Sequence, residues 1–317
     1  LRLSRKNCSE DKKYVEDFSA CTFGEPTPLL LLAREINKMI LRNPEAKFAC
    51  RSRPGEFRGY ADHIGFFQHA GFVRGNPPGA AMGSSTYLPI TTIDANELKT
   101  SSGERPYGEL AEEKALHMAR VLTQTDTGAS FHTIAYAIRE MLRNSIEHSF
   151  SDEVVMLAQF WPFKNQAEIA IYDGGIGVRN SLSDTEETDA ISDEDAITRA
   201  LKPGVTGVSE AVRAHQHKDY RNSGFGLYVT SKLCAENGFF RLISGNAGVN
   251  RNSSGDTFYN WPFDGTCVQM RINTSSISDA NALIDQIVAE GEAEAKIEGR
   301  DVKASGSSKS VISGGSS

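Results

Sequence analysis

Long apolar runs are missing from this sequence: the longest obvious stretch, Leu29 to Ala33, falls far short of the roughly 20 residues that a membrane-spanning helix needs. No membrane association is expected. Cys-x-x-Cys spacing is missing as well, since the five cysteines stand at 8, 21, 50, 234 and 267. An odd, scattered set of thiols offers neither a zinc framework nor a disulfide scaffold, and it points to a reducing, cytoplasmic setting. There is no excess of basic residues, because the formal net charge is −7. That balance argues against a chain whose main task is to hold nucleic-acid backbone. No P-loop occurs, so a nucleotide site of that kind is excluded. What remains is an ordinary globular composition, 39% hydrophobic and 24% charged, over 317 residues, enough for two domains with cores.

The stretch 132–150 reads as one amphipathic helix. Ile134, Ile138, Met141, Leu142 and Ser145 recur at three- and four-residue spacing and define a core face. Glu140 and Asn144 sit one turn apart on the other side, with Glu147 close behind, so a carboxylate and an amide project from neighbouring positions. A solvated helix flank would use the same residue types. Further signals lie downstream. An alternating, β-rich run over 167–172 stops at Asp173-Gly174-Gly175-Ile176-Gly177, Ser223-Gly224-Phe225-Gly226-Leu227 opens another helix, and Gly265-Thr266 begins the last strand.

In this order, the four signals resemble the GHKL superfamily of ATP-binding domains, which includes DNA gyrase, the heat-shock chaperones of the ninety-kilodalton class, histidine kinases and MutL. The resemblance covers residues 128–275, less than half of the chain. It implies a Bergerat-type α/β sandwich with a mixed sheet, and ATP with Mg2+ as the bound species. It further implies that Asn144 ligates the magnesium, that Glu140 is catalytic and polarises the attacking water or hydroxyl, and that Asp173 reads adenine. Gly175, Gly177, Gly224, Gly226, Leu227 and Thr266 would complete the nucleotide-binding set. The chemistry is coherent. A carboxylate at a strand end accepts a hydrogen bond from the exocyclic amine of adenine, whereas guanine would set two acceptors face to face. Glycines let backbone approach the nucleotide, and a helix N-terminus favours anionic phosphate.

The whole chain is expected to be α/β in two domains: an N-terminal segment 1–21, a small α/β domain with linker 22–125, the ATP-binding domain 126–275, a C-terminal helix 276–298 and a disordered tail 299–317. Helices are expected over 28–41, 60–70, 109–122, 227–236 and 278–295. Strands are expected over 47–51, 86–92, 154–160, 168–172 and 239–244, with a closing hairpin made from 255–261 and 267–272. Segment 178–222 corresponds to the lid of the resembling family; Ser192 should cap a helix within it, and Arg199, Lys202, Arg213, Lys218 and Arg221 are candidate phosphate-contacting cations. His215 and His217 lack a nearby third ligand for a metal, and His148 is read as a partner of its helix's C-terminal dipole. Residues 297–300, Ile-Glu-Gly-Arg, match a protease recognition sequence used in recombinant proteins, which leaves part of the tail open to an engineered origin.

Three classes of function follow from the resemblance. Glu140 favours an ATPase whose slow turnover drives a conformational or dimerisation switch. A serine/threonine kinase like the anti-sigma-factor kinases is the rival, because Asn144-Ser145-Ile146-Glu147-His148 is similar to their Asn-Ala-x-x-His helix end. A non-hydrolysing ATP sensor is the third. Gyrase, MutL and the chaperones take a phosphate-contacting cation from a following domain, so here it is expected from the lid, the N-terminal domain or a partner; a protein partner or a homodimer is expected.

Overall fold

A computed structural model describes residues 13–81, 84–96, 107–182, 192–207 and 223–309. Its centre follows from one stretch of sequence. The strand Glu153–Trp161 carries Val154, Val155, Met156, Leu157 and Ala158 in succession, so both of its faces are apolar and both must be covered. In chain order the strands are β1 (Lys13–Asp17), β2 (Lys47–Arg51), β3 (Tyr87–Asp94), β4 (Glu153–Trp161), β5 (Gln166–Asp173), β6 (Gly238–Asn252) and β7 (Gly255–Asn273). The last five form a single sheet in the order β3-β4-β5-β7-β6, with every neighbouring pair antiparallel.

The expectation of a mixed sheet is therefore corrected. Short turns join β4 to β5 and β6 to β7, and a tight turn can only return a strand antiparallel. Among the described residues the parallel pair is β1 with β2, a separate two-stranded sheet whose connection contains helix α1 (Pro26–Arg42). The expected closing hairpin within 255–272 is also corrected. Residues Gly255–Asn273 are one continuous strand, β7, paired along β6, and the register shifts near Gly245 absorb the irregularity.

Alternate side chains of the sheet point into two cores. On one face Val154, Met156, Ile169, Ile171, Met270 and Ile272 pack beneath α4 (Tyr107–Thr123) and α5 (Ala129–His148). The helices α8 (Gly226–Glu236) and α9 (Ala280–Ile297) join that layer through Tyr228, Leu233, Ile284 and Ile287, so the C-terminal helix packs on this chain. On the other face Val155, Leu157, Ala170, Tyr172 and Cys267 meet Phe18, Leu30, Ile36, Phe66 and Phe67. These come from α1, from the short α3 (Phe66–His69) and from the residue after β1, with α2 (Glu56–His63) adding Phe57. The expected boundary near residue 125 does not separate two cores: residues 26–72 cover the second face of the sheet, and the extended piece 86–92 lies in edge strand β3. The helix expected over 60–70 is broken at Gly65, whose φ of +84° a side chain would resist. Residues 299–309, expected to be disordered, are described as a packed segment ending in α10 (Gly306–Lys309).

A buried carboxylate ties α1 to the sheet. Glu168 on β5 accepts hydrogen bonds from the Thr27 amide at 3.1 Å, the Thr27 hydroxyl at 2.8 Å and Arg271 Nε at 2.8 Å. It thus satisfies a first-turn donor of α1, whose own N-cap, Glu25, supplies no side-chain bond. Arg271 also reaches Glu25 at 2.9 Å and lies over the rings of Phe239 and Trp161. Removing one partner of a buried ion pair leaves an uncompensated charge, so Glu168→Ala is expected to lose about 3–5 kcal/mol of stability. Urea denaturation at neutral pH measures this, and a loss below about 1 kcal/mol would show that Glu168 does not anchor the layer.

Candidate functional site

The helix α5 is enclosed by the sheet, α4, α8 and α9, yet it carries a row of charge. Arg139, Glu140 and Arg143 are each at most 4% exposed. Buried charges of this kind persist only when paired, and here they pair along the helix. Glu140 Oε1 lies 3.1 Å from Arg139 Nε and 3.6 Å from Arg143 Nη1. Arg143 also donates to Glu147 Oε1 at 3.2 and 3.3 Å, and Arg139 faces Glu112 on α4 at 3.8 Å. The other carboxylate oxygen of Glu140 points at Gly226: a Cβ there would fall on Oε2. Only glycine lets the N-terminus of α8 come this close to α5.

Beside this row opens a cleft, lined by α5, the end of β5 and the start of α8. Its wall on α5 includes Glu140, Arg143, Asn144, Glu147 and His148. Asp173, at the end of β5, and Thr266, its register partner on β7, form part of the sheet side. Gly177, Gly224, Gly226 and Leu227 line it from the two glycine clusters. Eight of the nine residues singled out from sequence thus meet around one space.

The ninth, Gly175, does not line it. A Cβ at Gly175 would collide with the Ser149 carbonyl, which also accepts from the Ile176 amide at 2.8 Å. This glycine therefore lets the loop after β5 cross the end of α5, rather than opening a path to a ligand.

Asp173 is 3% exposed, and its Oδ1 accepts the Gly175 amide at 3.1 Å. Burial pushes its carboxyl up from 3.8 to about 6, against hydrogen bonds from the Gly175 amide, the Ser145 hydroxyl and the Thr266 amide and against the charge of Arg34. Burial also pushes the His148 imidazole down from 6.5, aided by Arg143 and opposed by Glu147.

The expected lid is anchored over part of its length. Helix α6 (Gly177–Leu182) follows the first glycine cluster, and α7 (Asp193–Ala200) carries the expected cap: Ser192 and Asp195 form a reciprocal capping box. Leu182, Ala196 and Ala200 share a small apolar cluster, and Asp193 accepts the Asn246 amide at 2.8 Å. Lys202 is paired with Glu298 at 2.7 Å. Neither Lys202 nor Arg199 is among the cleft-lining residues. Arg213, Lys218, Arg221, His215 and His217 lie outside the described residues.

Arg143 and Ser308 also line the cleft and were not singled out from sequence; Ser145, read as part of the core face, and Ser223, read as the start of the second glycine cluster, line it as well. Arg143 was legible as the cation three residues after Glu140 and four before Glu147, the spacing that brings helical side chains together. Ser308 had no such signal, because nothing in a Ser/Gly-rich tail shows where it docks. For magnesium, Asn144 supplies a hard amide oxygen in the cleft wall, while Oε1 of Glu140 and of Glu147 is engaged by the guanidinium groups of the row. Comparison with models of known protein families and with curated proteins gave no match for this chain.

The raised carboxyl of Asp173 makes stability depend on pH. A folded-state value of about 6 above the ordinary 3.8 means that the protonated form favours folding. Its contribution is fully present below about pH 4 and is lost as pH rises through 6, by about 3 kcal/mol in all. Asp173→Asn cannot ionise, so its stability relative to wild type is expected to improve from pH 4 to pH 7. Denaturant melts across that window check the sign, and a constant difference would exclude the buried titration.

Proposed function

We propose that the cleft binds ATP with Mg2+ and cleaves the γ-phosphate slowly, with nucleotide binding and turnover driving a change of conformation or assembly. One observation carries the reading: residues from four separate stretches, in the order that resembles the GHKL pattern, line a single cleft. Their chemistry divides along it. Asp173 offers a buried acceptor matched to an exocyclic amine. The α8 N-terminus lies at Gly226 beside Glu140, and its N-cap Phe225 contributes no side-chain acceptor, which suits an anionic phosphate. Asn144 would hold the magnesium, which when bound supplies charge neutralisation to the phosphates. Glu140 is the candidate base; Oε1 is engaged by two guanidinium groups, and Oε2 is the oxygen on the Gly226 side. Arg143 answers the need for a phosphate-contacting cation, because it lines the cleft on α5 itself.

Calorimetry with Mg-ATP tests the site. Asp173→Asn is expected to weaken binding about ten- to a hundredfold, the cost of one charge-assisted hydrogen bond. In wild type the affinity should fall as pH drops below about 6, because the protonated carboxyl no longer accepts from the amine. A folded variant that binds as tightly as wild type would remove adenine from the reading.

Chemistry and binding should separate on α5. Glu140→Gln keeps the shape of the ladder and is expected to bind Mg-ATP while turnover falls roughly a hundred- to ten-thousandfold. Asn144→Ala is expected to lose both affinity and rate. Phosphate release by Glu140→Gln at the wild-type rate would assign the base elsewhere.

A further inference from the structure

The C-terminal segment after α9 crosses back to the cleft and places a serine in its wall. Arg300 Nη1 donates to the Pro203 carbonyl at 2.6 Å, and Val302 packs on Gly204. Glu292 on α9 then gathers Lys303 at 2.9 Å, the Ala304 amide at 3.2 Å and Lys309 at 3.0 Å. Burial alone would raise this carboxyl, but the bonds from Lys303, Lys309 and Ala304 outweigh it and hold it near 2, so the clamp stays ionised well into acid. Between the clamped lysines the chain turns through α10.

Ser308, on that turn, is 3% exposed and lines the cleft. Its carbonyl accepts from the buried Tyr136 hydroxyl at 3.1 Å. Its Oγ lies 2.9 Å from Ser223 Oγ and 3.0 Å from Ser305 Oγ. Ser223 opens the second glycine cluster, immediately before the α8 N-terminus where the phosphates are proposed to bind. A nucleophilic hydroxyl of the chain itself thus stands at that end of the cleft, held from outside by ion pairs and from inside by Tyr136.

We infer that Ser308 is a phosphoryl acceptor, modified in cis by ATP bound in the cleft; this rests on the reading of the cleft as an ATP site. The step balances with the groups present. The Ser308 Oγ–P bond forms as the bond between the γ-phosphorus and the β–γ bridging oxygen breaks. The electron pair of that bond leaves with ADP, and the hydroxyl proton passes to Glu140, one of the carboxylates that line the same cleft. The product carries a dianionic phosphate beside the α8 N-terminus, the position a new ATP would need. Each chain therefore modifies itself a single time, and the modified form binds ATP more weakly.

The full chain is incubated with Mg-ATP labelled in the γ-phosphate, and incorporated phosphate is counted and mapped by peptide mass spectrometry. The expected result is a single phosphate per chain on Ser308, with a first-order rate that does not change across about a hundredfold range of protein concentration. Ser308→Ala should abolish incorporation and still bind Mg-ATP, Ser305→Ala should retain incorporation, and Glu292→Gln, which loosens the clamp, should slow it without weakening nucleotide binding. Wild type that binds ATP but leaves Ser308 unmodified overturns the inference and leaves the proposed function standing. A rate that rises with protein concentration, or labelling unchanged in Ser308→Ala, also overturns it. Failure to bind ATP at all removes both.

Discussion

The pairing of buried charge along α5 is the constraint on which the rest of the structure depends. A helix surrounded by a sheet and three other helices would ordinarily be apolar on every side. This one places Arg139, Glu140 and Arg143 in the interior, where an unpaired charge costs several kcal/mol. The helix spacing resolves the conflict, since each arginine finds a carboxylate at i+1, i−3 or i+4, and Glu112 on α4 closes the row. Replacing the row by apolar residues would be easier to fold, so its presence marks a polar cavity that the fold keeps. The cleft lies where that row, the end of β5 and the start of α8 meet.

Much of the fold was legible because the strongest patterns are local. The helix over 132–150, the antiparallel pair β4 and β5, the cap at Ser192 and the helix after Gly226 each follow from spacing and capping chemistry within a few residues. The cover on the second face of the sheet was not, although a signal for it existed. Val154 to Ala158 show no alternation, which in an antiparallel strand means that both faces are buried. Something had to cover the second face, and the apolar residues of α1, α2 and α3 do so. Read separately, those helices suggested a domain of their own. The long β7 was misread for a related reason, because Pro262 and Gly265 look like a turn, yet the β6 register absorbs them.

The site shows the same division. Glu140, Asn144, Asp173 and the second glycine cluster were recognisable as a pattern spread over the chain, and the fold gathers them. The role of a glycine was not readable from its presence. Gly226 admits the Glu140 carboxylate and Gly175 admits the Ser149 carbonyl, so both serve close approach within the protein. Ser308 could not be found at all, since its position depends on Glu292, Pro203 and Tyr136, partners that are distant in sequence and ordinary in type.

The end of β5 joins the two layers. Adjacent strand residues face opposite sides, so Tyr172 points to the N-terminal helices while Asp173 points to the cleft. Arg34 of α1 lies over the rings of Tyr172 and Phe263, at 5.2 and 4.0 Å, and bonds to the Asp264 carbonyl. His69 of α3 bonds to the Tyr172 hydroxyl at 2.8 Å, and burial pushes its imidazole down to about 4, with Arg34 acting in the same direction. The bond to Tyr172 is therefore made by a neutral ring across the physiological range. Arg34 also favours the ionised form of Asp173, against the burial that disfavours it. The covering layer consequently does more than hide apolar surface. The Arg34 guanidinium favours the charged form of Asp173, so the second face of the sheet and the cleft are coupled through a single strand end.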